Sequence, residues 1–244
     1  MTDKLFLEDA FCQETEARVL SVTPEGGLIL DQTIFYAASG GQPGDRGSIR
    51  RASGEVVAVQ DTRFDSAQKE TVVHDVAEAQ TAFEVGETLV LSLEWERREK
   101  LMRMHTALHL LCSLIPHPVT GGSIGEEESR LDFDMPENPD KKELSDSLMA
   151  LVEGDYPVSS RWVEERELDA NPDLVRTMSV SPPRGQGRVR LVEIGEDGAV
   201  DRQPCGGTHV ASTGSIGAIH VGKIEKKGKQ NRRIRVRFGS FPIG

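Results

Sequence analysis

Short apolar runs, separated by glycine, proline and acidic residues, fill the first third of the chain, a pattern typical of β-strands. The predicted strands are residues 17–22, 27–30, 54–60, 70–73 and 88–93. The first two flank Pro24-Glu25-Gly26, a turn-forming cluster, and therefore predict a hairpin. No long helical period intervenes, so we expect a small barrel or sandwich rather than a parallel sheet.

The pattern changes at residues 94–114, where strong helix formers dominate, and a helix is predicted there. Asp140 with Glu143 resembles a capping box and predicts a second helix, and Asn171-Pro172 is a further helix-start signal. Alternating or apolar strands are predicted at residues 130–134, 188–194, 217–221 and 234–238. Helices and a mostly antiparallel sheet thus alternate in blocks.

Together these elements predict an α+β fold, with a small β-barrel-like domain in residues 1–91 and an α+β domain in residues 92–244. No apolar run approaches the length that spans a bilayer, and the N-terminus lacks the character of a secretory signal. We therefore expect a cytoplasmic protein with no membrane partner. The three cysteines have no framework spacing, which argues against a disulfide-stapled secreted domain.

Four side chains in two separate motifs have the spacing of metal ligands. His105 and His109 lie four residues apart, on one face of the predicted helix. Cys205 and His209, in a Cys-Gly-Gly-Thr-His motif, offer a thiolate and a third imidazole. Each pair alone is more typical of an ordinary surface. Their combination in a chain with only three cysteines favours a borderline-soft ion such as Zn²⁺.

A glycine-rich segment interrupts the first domain between Phe35 and Gly47. Its glycines require either unusual backbone angles or the close approach of another group. The residues concerned are Gly40, Gly41, Gln42, Gly44, Asp45 and Gly47. The segment has neither a Walker ending nor a dinucleotide fingerprint, so a structural loop is the favoured interpretation of these residues taken alone.

Charge is unevenly distributed in this acidic chain, whose formal net charge is −11. Between Gly222 and Phe238 the only acidic residue is Glu225, among the basic residues Lys223, Lys226, Lys227, Lys229, Arg232, Arg233, Arg235 and Arg237. The net charge argues against a nucleic-acid partner, whereas the local cluster is suited to one. The cluster is either a solvated surface or a contact for a phosphate backbone.

Three motifs, in order along the chain, closely resemble those of the freestanding alanyl-tRNA editing proteins, the AlaX family. They are Phe-Tyr-Ala-Ala-Ser-Gly-Gly-Gln-Pro-Gly-Asp-Arg-Gly, His-Thr-Ala-Leu-His-Leu-Leu and Cys-Gly-Gly-Thr-His-Val. The glycine-rich segment is similar to that of the medium-length members, which carry an N-terminal β domain. The resemblance implies a hydrolase that acts in trans on alanine tRNA mischarged with serine, and in some members with glycine. It implies one zinc ion per chain, and no obligate protein partner is evident.

The resemblance also implies roles for individual residues. The zinc ligands would be His105, His109, Cys205 and His209. Thr120, before a predicted turn at Gly121-Gly122, takes the place that would recognise the serine hydroxyl, with Thr106 and Thr208 as alternatives.

The tRNA contacts implied in the same way lie in two places. The basic segment, with Lys223, Lys226, Lys227, Lys229, Arg232 and Arg233, would hold the acceptor stem. Arg97 and Arg98 would reach the terminal phosphates, and the Gly40–Gly47 loop would border the pocket.

The catalytic group stays open at this point. Four protein ligands would close a tetrahedral zinc, whereas a catalytic zinc keeps an open position. Either one motif residue is unliganded, with His209 the candidate, or the coordination expands, or zinc only positions the substrate. Water would be activated at the zinc, by a neighbouring residue or by the terminal ribose hydroxyl. Asp132 is a candidate base, although a structural strand carboxylate is the favoured interpretation.

Two other functional classes compete with an editing enzyme. A non-catalytic RNA-binding module with a structural zinc would have all four ligands bound. A small-molecule metallohydrolase would make the basic segment incidental. The editing domain of threonyl-tRNA synthetases shares the paired histidines, but the glycine-rich segment is more similar to the alanine system.

Overall fold

The computed structural model describes residues 2–68, 70–79, 82–170 and 187–242. The contacts of the chain divide it into two units, Met1–Glu99 and Lys100–Gly244, and the division falls later along the chain than the predicted domain end at residue 91. The predicted helix start at Asn171-Pro172 lies outside the described residues.

The first unit contains a closed six-stranded barrel, which confirms the small β-barrel-like domain predicted from its short apolar runs. In chain order its strands are β2 (Glu14–Val22), β3 (Leu28–Leu30), β5 (Gly47–Arg51), β6 (Val56–Phe64), β7 (Val72–Val76) and β8 (Thr88–Leu93). Two short strands, β1 (Asp3–Lys4) and β4 (Gln32–Thr33), pair in parallel. The predicted hairpin is confirmed by the antiparallel pairing of β2 with β3. Strand β5 is not predicted from the sequence, because it contains a single large apolar residue, Ile49.

The barrel interior is apolar with one buried histidine. Its core consists of Ala17, Val19, Leu28, Leu30, Ile34, Phe35, Ile49, Val59, Leu89 and Leu91. His74 is fully buried; its Nδ1 lies 3.0 Å from the carbonyl of Leu28, and its Nε2 lies 2.7 Å from the hydroxyl oxygen of Thr33. Burial lowers the pKa of His74 to about 4, so this imidazole is neutral in the folded unit.

The glycines of the Phe35–Gly47 segment serve the barrel itself. Gly40 and Gly41 have positive φ angles of 56° and 85°, which other L-residues rarely adopt. A Cβ atom on Gly44 would lie 1.9 Å from the carbonyl oxygen of Thr62, and one on Gly47 would lie 2.1 Å from that of Ser92. The close approach predicted for these glycines is thus an approach of the barrel's own backbone.

Asp45 in the same segment holds the first turn of helix α1 (Trp95–Leu114). Arg98 Nε donates to Asp45 Oδ2 at 2.9 Å, and its two terminal nitrogens donate to the carbonyls of Ala10 and Ile34. Arg97 donates to the carbonyl of Gly44 at 2.8 Å. Both arginines are buried, so the prediction that they reach tRNA phosphates is wrong. Their guanidinium groups instead bind Asp45 and backbone carbonyls, and these contacts attach the start of α1 to the barrel within the first unit.

The second unit combines helices with two antiparallel sheets, which confirms the predicted α+β class. The four-stranded sheet has the order β14–β15–β10–β9, with β9 (Val119–Ser123), β10 (Glu128–Asp134), β14 (Ile219–Gly228) and β15 (Asn231–Phe238). The three-stranded sheet consists of β11 (Val158–Glu164), β12 (Arg188–Ile194) and β13 (Asp201–Pro204). The other α-helices among the described residues are α2 (Lys141–Glu153) and α3 (Glu165–Ala170).

Local signals in the second unit are confirmed in one case and wrong in another. Asp140 caps α2 as predicted, because its carboxylate accepts a hydrogen bond from the backbone N–H of Glu143 at 2.8 Å. Gly121-Gly122 does not form the predicted turn. Both residues lie within strand β9, paired with Asp132 and Leu131 of β10, where tertiary pairing overrides the turn preference of glycine.

In the part of the chain that the structure describes, no helix is both long and apolar enough to cross a membrane.

Candidate metal centre

Helix α1 presents two imidazoles from consecutive turns. His105 and His109 are 8% and 7% exposed, and Met104, Leu108 and their neighbours along this half of the helix are also buried. Because residues four apart share a helix face, the ring centroids of the two histidines lie 5.3 Å apart. A helix buried on nearly all sides holds both rings in place through packing.

A tight loop after strand β13 supplies the thiol and the third imidazole. The backbone N–H of Cys205 donates to the carbonyl of Arg190 at 3.0 Å and continues the pairing of β12 with β13. The Arg190 guanidinium donates at 3.0 Å to the carbonyls of both Cys205 and Gly207. The N–H of Gly207 then points at Cys205 Sγ, at 3.4 Å. The loop is therefore anchored from both sides to the three-stranded sheet.

The two motifs converge on one point inside the second unit. One donor atom from each of His105, His109, Cys205 and His209 lies within 4.8 Å of the others. Cys205 Sγ is 3.5 Å from Nε2 of His105 and 3.3 Å from Nε2 of His209. This cluster could hold a metal ion. Three imidazole nitrogens and a thiolate fit the donor preferences of Zn²⁺, and four is the number of ligands that a tetrahedral zinc site takes.

The outer nitrogens of two ligands are held by partners away from the cluster. Nδ1 of His109 donates to Asp201 Oδ2 at 2.8 Å. The Thr106 hydroxyl donates to the carbonyl of Met102 at 3.0 Å, which leaves its oxygen to accept from Nδ1 of His209 at 3.1 Å. A neutral imidazole carries one N–H, so these partners assign the proton to Nδ1 and leave the Nε2 lone pair for the cluster. Such outer partners are typical of metal-binding histidines.

Charge in the cluster favours a bound cation. Burial raises the pKa of the Cys205 thiol, but the nearby imidazoles of His105 and His209 outweigh it and hold that pKa well below its usual range. Burial lowers the pKa of His109, but its hydrogen bonds to Asp201 and Cys205 outweigh burial and raise it to about 10, so a bound ion would take the place of the Nε2 proton that faces the thiolate. The thiolate is the form of cysteine that binds metals, so the site is electrostatically prepared for an ion.

The threonines predicted to contact a serine hydroxyl differ in burial. Thr106 and Thr208 are fully buried, whereas Thr120 in β9 is half-buried. The Thr120 hydroxyl donates to the carbonyl of Asp132 at 3.2 Å, and its oxygen accepts from Nδ2 of Asn231 at 2.7 Å. A hydroxyl oxygen has two lone pairs, so one acceptor position of Thr120 is unused by these two contacts.

Asp132 is a structural carboxylate. Both of its oxygens accept hydrogen bonds from Arg233 at 2.8 Å, and Arg130 adds a further contact at 2.8 Å. Burial raises the pKa of Asp132, but the two arginines outweigh it and lower that pKa below its ordinary value. A weakly basic, ion-paired carboxylate is a poor general base, which supports the structural interpretation.

The basic segment forms the antiparallel hairpin of β14 and β15. Arg232 is buried and donates to the carbonyls of Gly228 and Asn231, while Arg233 pairs with Asp132. The exposed basic residues predicted to contact tRNA are Lys223, Lys226, Lys227 and Lys229. These four lysines are referred to below as the lysine cluster.

Three residues that support the ligands are not predicted from the sequence, because they belong to no metal motif: Asp201, Gln203 and Arg190. Asp201 and Gln203 precede Cys205 by four and two positions, so a strand would place all three on one side. That spacing was the available signal. Arg190 is brought to the loop only by pairing between distant strands, and nothing local identifies it.

Two family models match the chain, one in each unit. Residues 6–97 match the model described as tRNA synthetases class II (A). Residues 189–235, which include Cys205 and His209, match the model described as Threonyl and Alanyl tRNA synthetase second additional domain.

Several curated proteins are similar to this chain over most of its length. The alanyl-tRNA editing protein AlaX-M of Methanosarcina acetivorans is 33% identical, with 96% of this chain aligned to 98% of that protein. The AlaX-M protein of Saccharolobus solfataricus is 30% identical, with coverages of 96% and 98%. The alanine–tRNA ligase of Pyrobaculum arsenaticum is 35% identical over 92% of this chain, which spans 25% of that larger protein. With the ligand cluster in place and nearly complete coverage of these freestanding relatives, the chain belongs to the alanyl-tRNA editing protein family, AlaX.

Proposed function

We propose that this protein hydrolyses the ester bond between serine and the 3′ end of alanine tRNA, with the glycine ester as a second substrate. The observation that carries the proposal is the buried cluster of three imidazoles and one thiolate, found in a chain of the AlaX family. The names of the AlaX-M relatives describe alanyl-tRNA editing. The choice of serine and glycine is what the resemblance to this family implies, and the chemistry of the two pockets supports it.

A separate editing site is needed because a pocket shaped for alanine rejects its neighbours poorly. Glycine is smaller and fits, and serine adds only a hydroxyl, which an apolar pocket cannot strongly exclude. An editing site that hydrogen-bonds the serine hydroxyl favours serine over alanine. When alanine enters, the polar group of the site is left without a hydrogen-bond partner, and this costs binding free energy. Thr120 is the preferred reader because it is half-buried and retains an acceptor position.

The four ligands would hold a zinc ion, which would supply positive charge that polarises or orients the ester. Because Thr106 and Asp201 direct Nε2 of His209 and His109 inward, His209 is as well aligned with the cluster as His109. This alignment argues against His209 as an unliganded residue. It favours a positioning role for the metal or an expanded coordination.

Charge distribution supports contact between the tRNA and the second unit. Residues 1–99 carry 19 acidic and nine basic side chains, whereas residues 100–244 carry 21 acidic and 20 basic ones. The first unit therefore repels a phosphate backbone, while the nearly neutral second unit carries the exposed lysine cluster. We propose that this cluster contacts the acceptor stem.

Deacylation of three esters tests the proposed function directly. Purified protein is incubated with Ser-tRNA(Ala), Gly-tRNA(Ala) and Ala-tRNA(Ala), and its zinc content is determined. We expect rapid loss of the serine ester and survival of the alanine ester. Bound zinc without cleavage of any ester would contradict the proposal and favour the non-catalytic RNA-binding module. The observation that supports this module is the presence of four candidate ligands, enough to close a tetrahedral site.

Replacing Lys226, Lys227 and Lys229 by alanine should weaken tRNA binding in a salt-dependent way. Each phosphate contact that is lost reduces the number of counterions released when the protein binds tRNA. The slope of log affinity against log salt concentration should therefore become shallower by roughly two to three. The measurement is a filter-binding titration at several salt concentrations. Lys141→Ala combined with Lys142→Ala, two exposed lysines in α2, is the matched control.

The same triple variant also tests whether the protein is a tRNA-editing enzyme or a hydrolase of small-molecule esters. The proposal requires slower cleavage of Ser-tRNA(Ala) at sub-saturating substrate, with cleavage of a simple serine ester unchanged. If the variant cleaves Ser-tRNA(Ala) as fast as the unmodified protein, the lysine cluster is not a tRNA contact.

A further inference from the structure

Asp201 is a buried carboxylate for which the ester hydrolysis proposed above has no direct use. Its side chain is 0% exposed. Oδ2 accepts from Nδ1 of His109 at 2.8 Å, and Nε2 of Gln203 donates to both Asp201 oxygens, at 3.0 and 2.9 Å. Gln203 is itself buried, at 6% exposure. Burying a charged group and an amide together is costly unless they satisfy each other and a third partner.

Strand geometry explains how these groups arrive together. Side chains at alternate positions of a strand point to the same side. In β13 the register with β12 places Asp201 opposite Ile194 and Gln203 opposite Val192, and Cys205 follows one residue after the strand ends. The carboxylate, the amide and the thiol therefore occur at every second position. One short strand delivers both a metal ligand and the group that holds another ligand.

We propose that Asp201, oriented by Gln203, is a positioning residue of the metal centre. It holds His109 with the proton on Nδ1, so that the Nε2 lone pair faces His105, Cys205 and His209. Gln203 matters because it occupies both carboxylate oxygens and prevents Asp201 from rotating away from His109. The inference rests on the proposed function in one respect, since it concerns the metal site that the function uses.

Metal affinity, measured without tRNA, tests this role. Asp201→Asn keeps the size of the side chain but loses the charge and one acceptor, so that either His109 or Gln203 faces a donor. Zinc affinity, determined by competition with a chelator, should fall roughly 10–100-fold. The absorption spectrum of the cobalt-substituted protein should also change at saturating metal, because the His109 ring is no longer held in one orientation. Gln203→Met should produce a smaller loss of affinity.

Asp197→Asn is the matched control. Asp197 is an exposed carboxylate four positions before Asp201, and its φ of 52° is one that asparagine tolerates. This variant should bind zinc and cobalt as the unmodified protein does.

The outcomes separate the two proposals. A folded Asp201→Asn protein with unchanged zinc affinity and an unchanged cobalt spectrum would overturn the positioning role. If that variant fails to fold, as judged by its melting curve, unchanged affinity and spectrum in Gln203→Met would overturn the role instead. An unmodified protein that binds zinc but cleaves no ester would contradict the proposed function, while weakened zinc binding in Asp201→Asn would still support the positioning role.

Discussion

Replacing Cys205 by alanine is expected to abolish both zinc binding and cleavage of Ser-tRNA(Ala). Cys205 is the single thiolate of the cluster, and its loss leaves three imidazoles for the ion. Zinc affinity should fall by more than the roughly 10–100-fold that the loss of an outer partner costs, because a direct ligand is removed. Zinc content is measured on the purified protein, and deacylation is measured on the same sample.

Cys12→Ala is the control for thiol removal. Cys12 lies in the first unit, is half-buried, packs against the barrel core and donates to the carbonyl of Glu14 at 3.3 Å. This variant should keep its zinc and its activity. If Cys205→Ala retained full zinc and full activity, the four-residue cluster would not be the working site. Loss of activity with zinc retained would show that three histidines hold the ion and that the thiolate serves the reaction in another way.

Arg98→Met should destabilise the first unit by about 3–5 kcal/mol. The Arg98 and Asp45 side chains are 1% and 2% exposed, so removing the guanidinium leaves a buried carboxylate without its cation. It also removes the hydrogen bonds to the carbonyls of Ala10 and Ile34. Denaturant unfolding is followed by the fluorescence of Trp95, in the background of Trp162→Phe. Because the chain has only two tryptophans, this signal then comes from a residue of the first unit.

Two further variants identify the cause of that loss. Arg50→Met removes an exposed arginine from β5 and should change the free energy of unfolding by less than about 0.5 kcal/mol. Adding Asp45→Asn to Arg98→Met removes the unpaired charge and should recover part of the stability. Equal stability of Arg98→Met and the unmodified protein would show that the buried pair does not attach α1 to the barrel.

Local patterns predicted the elements whose environment is uniform along their length. The strand at residues 188–194 and the strand at residues 88–93 match β12 and β8, because their apolar runs are long enough to dominate. The helix predicted at residues 94–114 matches α1 to within one residue. Strands β11 and β13 were missed, since Ser159, Ser160 and Arg202 break any apolar run and only pairing with β12 holds them extended.

Predictions that depended on long-range packing fared less well. The sequence does not distinguish a basic residue that is exposed to solvent from one that is buried against a carboxylate. Arg97 and Arg98 were therefore assigned to tRNA, although the barrel uses both. Gly121-Gly122 was assigned to a turn because glycine prefers turns in isolation, while the register with β10 places the pair in a strand.

The chemistry of the candidate site is predictable from residue types and their spacing along the chain. Residue type decides which atoms can bind a metal, and the four-residue spacing on a helix decides that two imidazoles share a face. Tertiary structure alone decided that the His105 and Cys205 motifs meet, and that Asp201, Gln203, Thr106 and Arg190 support them. Periodicity and propensity depend on neighbours within a few residues. Side chains about a hundred positions apart are brought together by strand pairing and core packing, which local sequence patterns do not encode.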